Sequence, residues 1–120
     1  MSETETIKIN EVEYVRKDSI PKMPKMSGKY KIVRTYSAGV FFGIIESRNG
    51  QEVVMRNARR IWYWEGAASL SQLAMEGTSK PGSCKFPCAV DRVELLNAIE
   101  ILDVTEKAKE SIDSVKVWKQ

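Results

Sequence analysis

Val40-Phe41-Phe42-Gly43-Ile44-Ile45-Glu46-Ser47-Arg48-Asn49-Gly50-Gln51-Glu52-Val53-Val54-Met55 is a pair of apolar runs on either side of an Asn-Gly dipeptide. The tightest hairpin turns need positive φ at their central positions, which Asn and Gly supply at the least steric cost, so the stretch predicts an antiparallel hairpin. Upstream, residues 30–36 read as another strand, and Ser37-Ala38-Gly39 as a turn in which Gly39 takes positive φ. Downstream, Arg56-Asn57-Ala58 is placed to bulge before a strand resumes over 59–64. The fold class that follows is α+β, an antiparallel β-sheet meander with two short α-helices. An antiparallel sheet needs an apolar cover on at least one face.

A short helix supplies that cover. Residues 67–76 place Leu70, Leu73 and Ala74 on one stripe, with Gly77 suited to end the helix. Residues 106–112 form the second helix, with Thr105 as its N-cap. Between them, residues 78–87 are a loop marked by Pro81, Gly82 and Pro87, and apolar residues run from Val90 to Val104, with 98–104 a further strand that closes the sheet. Val115, Val117 and Trp118 form an apolar tail suited to burial by a neighbouring subunit. Residues 1–29 read as an N-terminal extension, a small hairpin over 7–15 followed by a Pro- and Lys-rich linker, and residues 30–120 as the main domain.

At 120 residues the chain has the size of one domain, and a net charge of +3 is too mild for a protein that coats nucleic acid with cations. There is no histidine, which removes the commonest general acid/base and the commonest transition-metal ligand. Cys84 and Cys88 alone do not complete a tetrahedral zinc set and read as free thiols. No nucleophile with its base and no phosphate-cradling glycine loop is present, so no catalytic residue, metal or cofactor is assigned. Neither a membrane-spanning run nor a basic-then-apolar leader is visible, which predicts a cytosolic chain.

The residues favour binding instead. Arg59-Arg60-Ile61-Trp62-Tyr63-Trp64-Glu65-Gly66 sets two cations against three rings. In an extended chain Arg60, Trp62 and Trp64 share one face and Arg59, Ile61 and Tyr63 the other. Trp62 and Trp64 then either line a pocket or fill the core. Arg34, Arg56, Arg59, Arg60 and Arg92 are candidates to grip phosphates, and Trp62, Tyr63 and Phe86 to stack on bases. Phe86 also reads as a core residue beneath its proline-rich loop, and the residues alone favour that reading. Asn97, an amide between Leu96 and Ala98, either is satisfied at a sheet edge or reads a polar ligand edge.

Val33-Arg34-Thr35-Tyr36-Ser37-Ala38-Gly39-Val40-Phe41-Phe42-Gly43, together with Asn57-Ala58-Arg59-Arg60-Ile61-Trp62-Tyr63-Trp64-Glu65-Gly66-Ala67 and Leu70-Ser71-Gln72-Leu73-Ala74, resembles a family of small phage proteins known as a domain of unknown function. Within it the chain is similar to the first type of Thoeris anti-defence protein, the phage signal sponges. The resemblance covers roughly residues 30–112. It implies sequestration without cleavage of glycocyclic ADP-ribose signals made by Thoeris TIR enzymes, in the cytoplasm of an infected bacterial host. It also implies homo-oligomers up to hexamers with pockets shared between subunits, and a separate site for cyclic di- or trinucleotides of the CBASS pathway. Carried over by position, Phe86 and Asn97 match the family's stacking aromatic and pocket asparagine, Arg59, Arg60 and Arg92 surround the pocket, and Arg34 and Thr35 match the second nucleotide site. A rival reading, from residues alone, is a phage single-stranded nucleic-acid-binding module presenting the rings and cations of residues 59–64.

Overall fold

The structure, a computed structural model, describes residues 25–120, so the expected hairpin and nearly all of the expected linker lie outside the described residues. Five strands, β1 (Met26–Thr35), β2 (Val40–Asn49), β3 (Glu52–Arg60), β4 (Ala89–Leu95) and β5 (Ala98–Thr105), form one antiparallel sheet in the order β4-β3-β2-β1-β5. Two helices complete the α+β architecture, α1 (Leu70–Glu76) and α2 (Glu106–Asp113). β2 closes on β3 one residue later than the Asn-Gly pair predicts: Asn49 still pairs with Glu52 and has no positive φ, and the turn is Gly50-Gln51 with Gly50 at φ 62°.

The sheet is strongly coiled, and its connectivity requires this. Leu95 ends β4 opposite Val53, whereas Ala98 begins β5 opposite Thr35, at the diagonally opposite corner of the strand diagram. In a flat sheet those corners would be about 19 Å apart across the strands, at four strand spacings, and roughly 25–30 Å apart along them. Only Leu96 and Asn97 join them, a link reaching about 10 Å. The corners therefore curl together, and Ala98 N donates to the Gln51 carbonyl at 2.9 Å while Tyr36 N donates to that of Asn97 at 2.9 Å.

Coiling gives the sheet two apolar faces. The inner face buries Val33, Phe41, Val53, Met55, Ala58, Leu95 and Ala98 without help from either helix. The outer face carries Ile32, Phe42, Ile61, Phe86 and Val104, packed against Leu73 and Ala74 of α1 and Ala108 and Ile112 of α2. Ser69 caps α1, its Oγ accepting from Gln72 N at 3.2 Å, while the Gln72 Oε1 accepts from Ala68 N at 2.7 Å. Gly77, at φ 79°, ends it. Thr105 caps α2 by accepting from Ala108 N at 3.0 Å, and its hydroxyl donates to the Met75 carbonyl at 2.7 Å, tying the two helices together.

Three expectations are corrected. Residues 89–95 form a separate edge strand, because the chain breaks at Leu96-Asn97 inside what reads as one apolar run. The strand expected over 59–64 stops at Arg60: Ile61 N still donates to the Val40 carbonyl, but β2 begins there and offers no further partner. Tyr63 instead exchanges backbone hydrogen bonds with Lys85. The C-terminal tail docks on its own chain: Val115 is buried, Val117 forms a bridge with Phe86, and Trp118 N donates to the Phe86 carbonyl at 2.9 Å.

Candidate functional site

Leaving the sheet after Arg60 puts Trp62 and Trp64 beside the β1–β2 turn. Ser37, Ala38, Gly39, Val40, Arg60, Ile61, Trp62 and Trp64 line a pocket of about 410 Å³, so two separate sequence blocks meet in one place. The turn wall is fixed from within. Thr35 Oγ1 donates to the Gly39 carbonyl at 2.7 Å and accepts from Ala38 N at 2.9 Å, and Gly39 takes φ 97°. A threonine hydroxyl used in both senses this way orders the backbone that faces the pocket.

The opposite wall carries the chemistry. The Arg60 guanidinium lies over the Phe41 ring, 4.5 Å from its centroid, and among the described residues it has no hydrogen-bond or ion-pair partner. A guanidinium placed over a ring leaves its N–H groups for a planar or anionic guest. Trp62 is 61% exposed. Its indole lies nearly parallel to that of Trp118, at 10° and 6.3 Å between centroids. Lys85 Nζ sits 5.6 Å from the Trp118 ring and 5.8 Å from the Tyr63 ring, extending a row of rings and cation along this surface. The Tyr63 hydroxyl donates to Glu65 at 2.5 Å, and that bond raises the phenol above its ordinary pKa.

The other site residues expected from sequence fall elsewhere. Arg59 is turned to the helix side, where Nε donates to the Pro87 carbonyl, Nη1 to Ile112, and Nη2 to Phe86 and Val115, at 2.7–3.2 Å. Burial lowers its pKa, an effect opposed by Asp113. Arg59 thus staples the 86–87 loop to the end of α2 and the tail. Phe86 is 0% exposed beneath it, with the Arg59 guanidinium 5.4 Å from its ring centroid, so in this fold it is a core residue with no face open to a ligand. Arg92 is on β4, where its hydrogen bond to Glu94 at 2.7 Å raises its pKa. Arg34 is paired with Glu100 at 2.8 Å, and Thr35 is buried beneath the turn it orders. Asn97 is exposed and joins the neighbourhood of the pocket only through its carbonyl, which accepts from Tyr36 N next to Ser37.

Of the expected residues, the structure brings Arg60, Trp62 and Trp64 into one pocket, and it adds Ser37 and Gly39. Trp118 and Lys85 reach its flank through chain segments whose distance in sequence gave no sign of it. Among the described residues no group of three or more His, Cys, Asp or Glu side chains is arranged to hold a metal, and no helix is long and apolar enough to cross a membrane.

Fold and site together define a small α+β domain with a ring- and guanidinium-walled surface pocket. The chain belongs to the family described as a domain of unknown function (DUF6948), whose family model matches residues 28–112. No curated protein and no solved structure matches it significantly. The matched span includes both sequence blocks that line the pocket.

Proposed function

We propose that the protein is a phage anti-defence sponge that binds glycocyclic ADP-ribose made by Thoeris TIR enzymes, in the cytoplasm of the infected bacterium, and holds it without cleaving it. The observation that carries the reading is Arg60, a guanidinium laid on Phe41 with no partner among the described residues, facing the same pocket as the exposed Trp62. A cyclic nucleotide offers an adenine to stack and a diphosphate to bind. Stacking on an indole contributes about 1–3 kcal/mol per base, and a bidentate guanidinium orients the phosphates. The Ala38 and Gly39 backbone gives the third wall close approach. The similarity of the two pocket-forming blocks to the Thoeris sponges supplies the ligand class, and the pocket supplies chemistry that suits it. The same reading includes assembly as a homo-oligomer, up to a hexamer, which would screen the Arg60 contacts from water. Capture of CBASS cyclic oligonucleotides draws less support, since Arg34 is engaged by Glu100 and Thr35 by its own turn.

The test is retention. The protein is mixed with glycocyclic ADP-ribose, freed of unbound ligand and heat-denatured, and the released material is analysed. Intact nucleotide is expected from the wild type, and little from Arg60→Ala or Trp62→Ala folded to the same extent. Retention unchanged in both variants rejects this pocket, no retention by folded wild type rejects the ligand, and a cleaved product rejects sequestration.

The Trp62, Trp118, Lys85 and Tyr63 row favours a second reading, a platform for single-stranded nucleic acid. Such a platform tracks several phosphates and loses affinity steeply as salt rises, whereas a pocket for one diphosphate responds mildly. Titration of a short oligonucleotide at two salt concentrations separates the two.

A further inference from the structure

β4 is an edge strand, and among the described residues no strand pairs with its outer side. Natural edge strands are usually blunted by proline, lysine or a bulge, and Ala89–Leu95 has none of these: its register against β3 runs without a shift. It also exposes apolar surface, with Val90 44% and Leu96, just beyond it, 65% accessible. Its charges are mixed, Asp91, Arg92 and Glu94 within four residues.

We propose that β4 pairs antiparallel with β4 of a second copy about a twofold axis through Val93, making one continuous sheet across the dimer. A twofold perpendicular to a sheet keeps directly opposed residues on one face, so the axis must pass through a residue pair. Centring on Asp91, Arg92 or Glu94 would set that charge against its own copy, which is destabilising. Centring on Val93 sets Arg92 opposite the partner's Glu94, and does so twice by symmetry. The same register places Val90 opposite the partner's Leu96, again twice, joining the exposed apolar side chains at the two ends of the edge. Asp91, whose carboxylate is 3.9 Å from Arg56, falls opposite the partner's Leu95 and meets no like charge. The outer edge of β5 is a poorer candidate. Its charges are Glu100 and Asp103, both acidic, so the edge offers a second copy no opposite charge to pair with. The pairing rests on the assembly part of the reading above and is independent of what the pocket binds.

The experiment uses the full chain with no nucleotide present and reads mass by sedimentation across a concentration series. Arg92→Glu and Glu94→Arg each place two like-charge contacts at the seam, and each is expected to raise the dissociation constant of the dimer contact by about tenfold or more. Both substitutions also break the exposed Arg92–Glu94 pair within the chain, so circular dichroism first confirms equal folding. The deciding arm mixes the two single variants. In a mixed dimer the glutamate introduced in one copy meets the arginine introduced in the other at one contact, and the native Glu94 and Arg92 meet at the second. The pair within each chain stays broken, so association returns only if the seam is intermolecular. Wild-type mass retained by both single variants, no recovery on mixing, or a monomeric wild type at about 100 μM would overturn the proposal. Loss of dimer with nucleotide retention intact, or the reverse, separates failure of this seam from failure of the ligand reading.

Discussion

Replacing Arg59 tests the assignment of one arginine to the fold and the other to the pocket. Its guanidinium donates to four backbone carbonyls, those of Pro87, Ile112, Phe86 and Val115. A hydrogen bond from a charged donor is worth about 1.5–3 kcal/mol when well buried, and partial exposure here brings that to about 1 kcal/mol each. Arg59→Ala is therefore expected to cost about 4–5 kcal/mol, including the loss of packing on Phe86. Arg59→Lys, which keeps the charge but lacks the fork, is expected to cost about 2–3 kcal/mol. For a domain of about 100 residues, each kcal/mol moves the melting temperature by about 4–8 °C, so Arg59→Ala should melt at least about 16 °C lower. The assay is thermal unfolding by circular dichroism, paired with nucleotide retention at a temperature where the variant is still folded. The reasoning fails if Arg59→Lys melts within about 4 °C of wild type, or if it loses nucleotide while stability is unchanged, since that would return Arg59 to the ligand.

Phe86→Ala removes a ring with no exposed surface and should cost about 3–5 kcal/mol in a urea titration, a stability loss that comes before any effect on ligand. Gly43→Ala would bring its Cβ to 2.9 Å from the Ala58 Cα and 3.0 Å from two backbone carbonyls, and backbone cannot step aside. A loss of about 2 kcal/mol or more is expected in the same titration, and an unchanged midpoint would contradict the close approach. Thr105→Ala deletes the α2 cap and the bond to Met75 and should lower stability by about 1–2 kcal/mol, with Thr105→Ser recovering most of it.

Much of the fold was legible because its signals are local. Gly50, Gly39, Gly77 and the Thr105 cap each act within a few residues, and each sits where its chemistry requires, while Asn49 stays in the strand. Ser69-x-x-Gln72 is a signal of the same kind, and it marks a later start for α1 than the apolar stripe alone suggests. The β4–β5 break was not legible. Val93, Leu95, Leu96, Ile99 and Ile101 read as one apolar series because Leu96 and Ile99 are apolar although exposed, so Asn97 alone marks the turn between the strands. The candidate site divided in the same way. That cations and rings cluster at 59–64 is plain from the sequence, but their sorting into core, clamp and pocket depends on Val40, Lys85 and Val115, which are distant in the chain.

The sorting of the two arginines comes down to one residue. Alternation along β3 puts Arg59 and Arg60 on opposite faces without saying which faces. Val53 and Met55 point into the coil, so an unbroken strand would send Arg59 inward and Arg60 toward the helices. The register against β2 instead slips between Phe42 opposite Arg59 and Ile44 opposite Arg56, with Asn57 at φ 50°. Asparagine tolerates this left-handed backbone better than a β-branched residue would, and its Nδ2 donates to the Tyr30 hydroxyl at 3.0 Å. The slip inverts the remaining positions. Ala58 joins the inner core, Arg60 comes over Phe41 at the pocket, and Arg59 turns to the carbonyls beside α2. Gly43 is glycine because the bulged backbone crosses it too closely for a Cβ. Deleting Asn57 removes only the extra residue and leaves Ala58, Arg59 and Arg60 on their present faces, so a folded deletion variant should keep its nucleotide retention. Asn57→Val keeps the length but opposes the left-handed backbone, so it should push the strand toward plain alternation and exchange the two arginines, lowering both the melting temperature and retention; a variant that melts and binds like wild type would refute this.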